Sequence, residues 1–206
     1  MKDTHDGSRK KVNTKQKIIE SAIIMFSEYG YYRVSTRDIA NAVHIKSASL
    51  YSHFASKDDI LTSIYDLYKE KMGKVLPDLD ELYKLAETAP PFEVLTKTNF
   101  FFEPEDQEIM DRVVTIAAVE SRTDKRSEEF LKECIFSLPI NFTAKLLERM
   151  LELGRIEPLD IDAFVVLLAN FCFSAAIRNF TVDPITMEDW MKGTSLLYQM
   201  VKPTGK

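Results

Sequence analysis

Ser35-Thr36-Arg37-Asp38-Ile39-Ala40-Asn41-Ala42-Val43-His44-Ile45-Lys46-Ser47-Ala48-Ser49-Leu50-Tyr51-Ser52-His53-Phe54 holds two short helical patterns separated by a three-residue turn. The first starts at Ser35, three residues before Asp38 in a variant capping box, and turns Ile39, Ala40 and Val43 to one side. The second runs from Ser47 to Phe54, with Leu50 and Phe54 four apart and so on one face. His44, Ile45 and Lys46 lie between them. Helices of about two turns do not stand alone. The pair needs a common core, and Ile39, Ala40, Val43, Ile45, Leu50 and Phe54 supply it. The outward face of the second helix is then Ser47, Ala48 and Ser52, edged by Tyr51 and His53, with no acidic residue. Small residues let a backbone approach a DNA major groove closely. Tyr51, Ser49 and Lys57 can donate to phosphate oxygens, while Ser47, Ser52 and His53 can reach base edges.

Working outward, Thr14 or Asn13 can cap an upstream helix whose apolar positions are Ile18, Ile19, Ala22, Ile23 and Phe26. Gly30 ends it in the left-handed conformation that follows many helices. Downstream, Ser56 stands three before Asp59 and caps a longer helix to about residue 74. Ile60, Leu61, Ile64, Leu67, Tyr68 and Met72 form its apolar side. A helix that leaves a reading head and enters a body can transmit a shift between them.

The run from Ser35 to Leu61 resembles the DNA-binding signature of the TetR family of transcriptional regulators. The resemblance spans roughly residues 12 to 72, including Ala22, Phe26 and Gly30. It holds Thr36, Asp38, Ile39, Ala40, Leu50, Tyr51, Phe54, Lys57 and Leu61 in register together. It implies DNA contact at Thr36, Arg37, Ser47, Ala48, Tyr51, His53 and Lys57, an all-α body, a homodimer, and repression relieved by a small molecule. With the residues read above, the expected DNA-binding set is Thr36, Arg37, Lys46, Ser47, Ala48, Ser49, Tyr51, Ser52, His53 and Lys57. Two positions depart from the family pattern. His44 stands where glycine is usual and carries the cost of a left-handed turn. Lys46 stands where serine is usual, which leaves Ser47 to take over the cap.

Charge is distributed in keeping with this. Residues 9 to 57 carry nine Lys and Arg against Glu20, Glu28 and Asp38, a net +6. The whole chain is −5, so the remainder carries −11. A basic head on an acidic protein is drawn to phosphate locally. Arg9, Lys10 and Lys11 lie in an expected flexible arm, residues 1–11, that either solubilises or reaches phosphate and the minor groove.

Beyond residue 57 the pattern is helical throughout. Pro77, Pro90, Pro91 and Pro104 divide an acidic stretch into short pieces. Helices follow at about 105–120, 125–153 (kinked at Pro139, stopped by Gly154), 160–180 and 187–201. Ala163 to Ile177 is apolar nearly all round, so it needs cover on two sides: the chain's own core and a second copy. The 187–201 helix, with Met191, Leu196, Leu197, Met200 and Val201, is the second expected dimer element. Aromatic and sulfur side chains are dense, and Tyr65, Tyr68, Phe101, Met110, Phe136, Asn170 and Phe173 are the candidate lining of an effector pocket for an apolar or amphipathic ligand. Core packing is the other reading of the same side chains.

The expected architecture is all-α: arm 1–11, helix-turn-helix DNA-binding domain 12–57 with the motif at about 35–54, and regulatory, ligand-binding and dimerisation body 58–206. No nucleophile elbow, zinc-protease helix or phosphate loop occurs, so the chain is not expected to be an enzyme. Cys134 and Cys172 pair with no second metal-ligand motif, and neither a cofactor nor a metal is expected. The polar N-terminus and the absence of a span-length apolar stretch point to a soluble, cytoplasmic protein. The expected partners are double-stranded DNA with a near-palindromic operator, a second copy through helices 160–180 and 187–201, and a small-molecule effector. The alternative is a body that holds a protein partner.

Overall fold

The computed structural model describes residues 6–98, 102–178 and 185–205, with side chains from Thr14 onward (Ala176 apart). Those residues form eleven α-helices and no strand, one antiparallel bridge joining Ile156 to Pro203. Helix α1, Asp6–Tyr29, begins ahead of its expected cap. Asn13 and Thr14 therefore lie inside it, and the backbone of residues 6–11 is helical where a flexible arm was expected. Residues 1–5 and the side chains of Arg9, Lys10 and Lys11 lie outside the described residues. Ile18, Ala22 and Ile23 are fully buried and Phe26 nearly so, the stripe that the 3.6-residue period requires.

Gly30, at φ 86, ends α1 and leads through a 3₁₀ turn, Tyr31–Arg33, into α2, Thr36–Ala42, and α3, Ser47–Tyr51. Helix α4, Lys57–Val75, starts on Ser56, whose side chain accepts from the Asp59 amide. The prolines act as punctuation: α5 is Leu79–Thr88, α6 is Pro91–Thr96 and α7 is Pro104–Glu120, the last two with proline in the first turn. The expected 125–153 helix is three pieces. Helix α8, Lys125–Phe130, runs through a π-helical stretch, Leu131–Ser137, into α9, Leu138–Glu152. Pro139 cannot donate to the carbonyl four residues back, and the wider π turn takes up that break. Gly154, at φ 64, terminates α9. Helices α10, Ile161–Arg178, and α11, Met187–Tyr198, complete the body.

Two hydrophobic cores hold these helices. The first joins α1–α4 to α7 and α8, through Phe26, Leu50, Ile64, Tyr68, Val113 and Phe130 among others. It runs on without a break across residues 57 and 58. The second joins α5, α6, α9, α10 and α11 around Leu95, Leu146, Leu147, Phe164 and Tyr198. No described helix is long and apolar enough to cross a membrane.

Candidate nucleic-acid interface and effector cavity

The α2–α3 unit is fixed by local bonds before any tertiary contact. The Asp38 amide donates to Ser35 Oγ at 3.2 Å, and the Ser35 amide donates to Asp38 Oδ2 at 2.9 Å. The Ser35 hydroxyl, with the Ser35 amide beside it, donates to the Asp38 carboxylate and holds it below its usual range, so a negative charge stays at the positive end of α2. The turn passes through His44 at φ 57, the only non-glycine residue with positive φ among those described. Its amide donates to Asn41 O, and the Ile45 amide to Ala40 O. Helix α3 stops at Tyr51, sooner than the expected Phe54, with Ser52 and His53 in a turn. Leu50 and Phe54 are nevertheless both buried, as their spacing requires. Lys46, extended, is the residue that starts α3, and no side chain caps it. Ser47 therefore does not take over the cap; it is the first helical residue, its hydroxyl on the surface.

Of the expected DNA-binding set, Arg37, Lys46, Ser47, Ala48, Ser49, Tyr51 and Ser52 are exposed, and Thr36 and His53 are half-buried. Tyr51 is 53% exposed, and its hydroxyl lies 3.1 Å from Thr36 Oγ1, a bond that ties α3 to the start of α2. From Ile39 to Lys57 the sequence has no Asp or Glu. Lys57 stands apart from the rest of the set. Its Nζ donates to Tyr31 O at 2.8 Å and Val34 O at 2.9 Å and sits 4.2 Å from the Tyr31 ring centre. Two of its three donors are thus spent inside the head, and burial pushes its ammonium pKa below the ordinary lysine range.

A cavity of about 190 Å³ lies where the two cores meet, bounded by α4, α7, α9, α10 and α11. Of the candidate pocket residues, Tyr68 and Phe173 line it. The others do not. Tyr65 stacks on Phe130 at 4.5 Å with its hydroxyl 2.7 Å from Ser127 Oγ, and Met110 is fully packed core. Phe136 lies behind Phe173, their rings 5.0 Å apart. Asn170, expected inside, is exposed on α10 and donates to Val166 O at 2.8 Å. Phe101 lies outside the described residues. Sequence reading missed Gln107 and Asp111, which do line the cavity. The signal was there: Asp111 is a charge set among Met110, Val113 and Val114 on the apolar side of α7.

The same helix reaches the head. Glu120 Oε1, at the end of α7, accepts from the Tyr31 amide at 3.0 Å in a buried bond. Arg112 Nη1 donates to Ser27 Oγ at 3.0 Å. From α8, Arg126 donates to Asp58 Oδ1 at 2.6 Å, while Tyr31 Oη donates to that same oxygen at 2.7 Å. Hydrogen bonds from Tyr31 and Arg126 hold Asp58 below the usual carboxylate range, and those from Arg126 do the same to Asp124.

Residues 18–64 match the sequence profile of the bacterial regulatory proteins of the tetR family. Residues 18–64 form a DNA-binding head of the TetR family. The profile covers the second half of α1, all of α2 and α3, and the first part of α4. The chain is 35% identical over 89 residues to the biofilm operon icaADBC negative transcriptional regulator IcaR of Staphylococcus aureus strain Newman. That match takes in 43% of the chain and 44% of the relative, so the chain spans less than half of the curated protein's length. IcaR of Staphylococcus epidermidis is 38% identical over 72 residues, 34% of the chain and 39% of the relative. Among solved structures, a TetR-family regulator from Rhodococcus sp. superposes with a TM-score of 0.68 at 13% identity, covering 92% of this chain and 98% of its own. The ketosteroid regulator KstR2 of Mycobacterium tuberculosis gives 0.60 at 20% identity, covering 91% and 94%. The likeness over the body is one of fold.

Proposed function

We propose that this chain, with its TetR-family head, is a dimeric, sequence-reading DNA-binding repressor, released by a small molecule held in the cavity of its body. The observation that carries the reading is the exposed, acid-free surface of Arg37, Lys46, Ser47, Ala48, Ser49, Tyr51 and Ser52, held rigid from behind by Leu50 and Phe54. Arg37 and Lys46 supply charge to phosphate, and the small residues of α3 allow close approach to base edges. Repression is the sign of regulation of the Staphylococcus relatives, which are negative transcriptional regulators.

A second copy docks on the free face of α10 and α11. Val166 and Leu167 on α10, Met191 and Leu196 on α11, and Met200 in the turn just after it are all about half exposed or more in the protomer. Val201, expected with them, is buried in the chain's own core. A two-fold pairing here sets two α3 helices on successive major grooves. The effector acts through α7, which lines the cavity with Gln107, Asp111 and Val114 and holds the head through Glu120. A cavity at that position supports a small-molecule effector over a body that clasps a protein.

The test is a mobility-shift titration with operator-containing DNA on Tyr51→Ala and wild type, with dimer state checked by sedimentation. The expected result is a loss of affinity of about tenfold or more with the dimer intact. Unchanged affinity defeats the assignment of α3 as the reading element.

A further inference from the structure

Most of the cavity wall is apolar, with Met72, Val114, Ile135, Leu168 and Phe173 on it. Its described residues include no Lys, Arg or His. Its carboxylate, Asp111, is already engaged, accepting from Gln107 Nε2 at 2.8 Å among its contacts. An ion entering here would lose its water with no opposite charge left to take, a heavy penalty in an apolar site. The hydroxyls and amide of the wall differ in how far they are spent. Thr98 donates to Leu95 O at 2.8 Å and pairs with Tyr198 Oη at 3.1 Å, and Thr186 donates to Asp189 Oδ2 at 2.7 Å. Gln107 and Tyr68 keep unspent capacity. The bond to Asp111 fixes the Gln107 amide, and its Oε1 is left buried with no hydrogen-bond partner. The buried Tyr68 hydroxyl holds no hydrogen bond among the described residues. Burial, with the nearby Cys134 and Asp111, pushes its pKa up, so it stays a neutral O–H.

A buried orphan acceptor costs free energy unless something donates to it, and a phenolic O–H without an acceptor is in the same position. A hydroxyl meets both needs from a single oxygen, since it donates one hydrogen bond and accepts others. Size limits the rest of the ligand. An apolar cavity of roughly 150 Å³ holds a benzene, and this one is about 190 Å³, room for a ring with a short side chain. We propose that the cavity takes a small uncharged alcohol, a ring-sized apolar body whose hydroxyl donates to Gln107 Oε1 and accepts from Tyr68 Oη. This rests on reading the cavity as the effector site.

Trp190 is the chain's only tryptophan and lines the cavity, so its fluorescence reports occupancy directly. The full-length protein is titrated with four probes of similar shape: benzyl alcohol, ethylbenzene, benzylamine and benzoate. An apolar pocket without matched polar groups favours ethylbenzene, because the alcohol gives up its hydrogen bonds to water. The expected result is that benzyl alcohol binds saturably and at least as tightly as ethylbenzene, with both ions weaker. Tyr68→Phe and, separately, Gln107→Met are each expected to weaken benzyl alcohol by about tenfold and leave ethylbenzene unchanged. Ethylbenzene thereby serves as the check that each variant keeps its cavity. Ethylbenzene binding more tightly than benzyl alcohol, either ion binding more tightly than the alcohol, or alcohol affinity unmoved in both variants overturns the alcohol assignment while the cavity remains a ligand site. Failure of all four probes to perturb Trp190 overturns the effector reading and the alcohol assignment together.

Discussion

Single side chains carry more than one duty in the head, and the duties separate by substitution. Tyr51 exposes its ring on the proposed reading face and turns its hydroxyl to Thr36. Tyr51→Phe is therefore expected to keep the ring's contribution and lose only what the Thr36 bond adds to rigidity, giving an affinity between wild type and Tyr51→Ala. His44 illustrates strain without compensation. At φ 57 its Cβ crowds the following carbonyl, and the side chain is exposed, so no packing offsets the strain. His44→Gly is expected to stabilise the protein by about 0.5–1 kcal/mol, the strain relieved less the added unfolded-state freedom of glycine. A raised midpoint in thermal denaturation supports this; a lowered one contradicts it. The sequence made the turn residue legible, because a helix-turn-helix of this spacing needs a left-handed backbone there. It could not make Lys57 legible as an internal brace. Its donors go to carbonyls of Tyr31 and Val34, more than twenty residues away, and no spacing rule links those positions.

Among the elements, α3 is the least self-sufficient. It has five residues and no side-chain cap, so its place depends on Leu50 beneath it. Leu50→Ala is expected to cost about 2–5 kcal/mol and to reduce DNA affinity even where the protein remains folded, by letting the reading surface move. Chemical denaturation and a mobility shift check the two parts separately. The α4–α8 junction makes a pH prediction. Asp58 and Asp124 have folded pKa values below their unfolded ones. Their contribution to stability is thus present above the unfolded carboxylate pKa of about 3.9 and lost as pH falls through the folded values. Arg126→Met is expected to be less stable than wild type at pH 7, with the gap closing as pH falls through the lowered folded values of these carboxyls. A gap that persists in acid would mean that Arg126 acts through packing instead. Helices α5, α6 and α7 were legible from their prolines, and α9 from Gly154. The π-helical stretch was not, because the clash of Pro139 says that a helix must deform without saying how.

For the molecule as a whole, α10 and α11 are the proposed dimer face and α7 the proposed link from cavity to head. Leu167→Glu sets a carboxylate on the half-exposed apolar face of α10 and, across a two-fold axis, close to its own copy. It is expected to yield folded monomer by sedimentation, with operator affinity reduced by at least about tenfold because one head binds alone. The periodicity predicts that α10 needs cover on two sides; Phe164, Val165 and Leu168 are covered by the chain's own core, while Val166 and Leu167 stand about half exposed in the protomer. The cavity was half legible. Tyr68 and Phe173 followed from aromatic density, whereas Gln107 and Asp111 become neighbours of α10 and α11 only once α7 is packed. The central claim is that the paired heads read a sequence. It is tested most directly by selecting bound duplexes from a random-sequence pool at ~150 mM salt, where phosphate contacts alone are weakened. The account predicts recovery of a near-palindrome whose half-sites lie about one helical turn, or a multiple of it, apart. Recovery of no preferred sequence would contradict it.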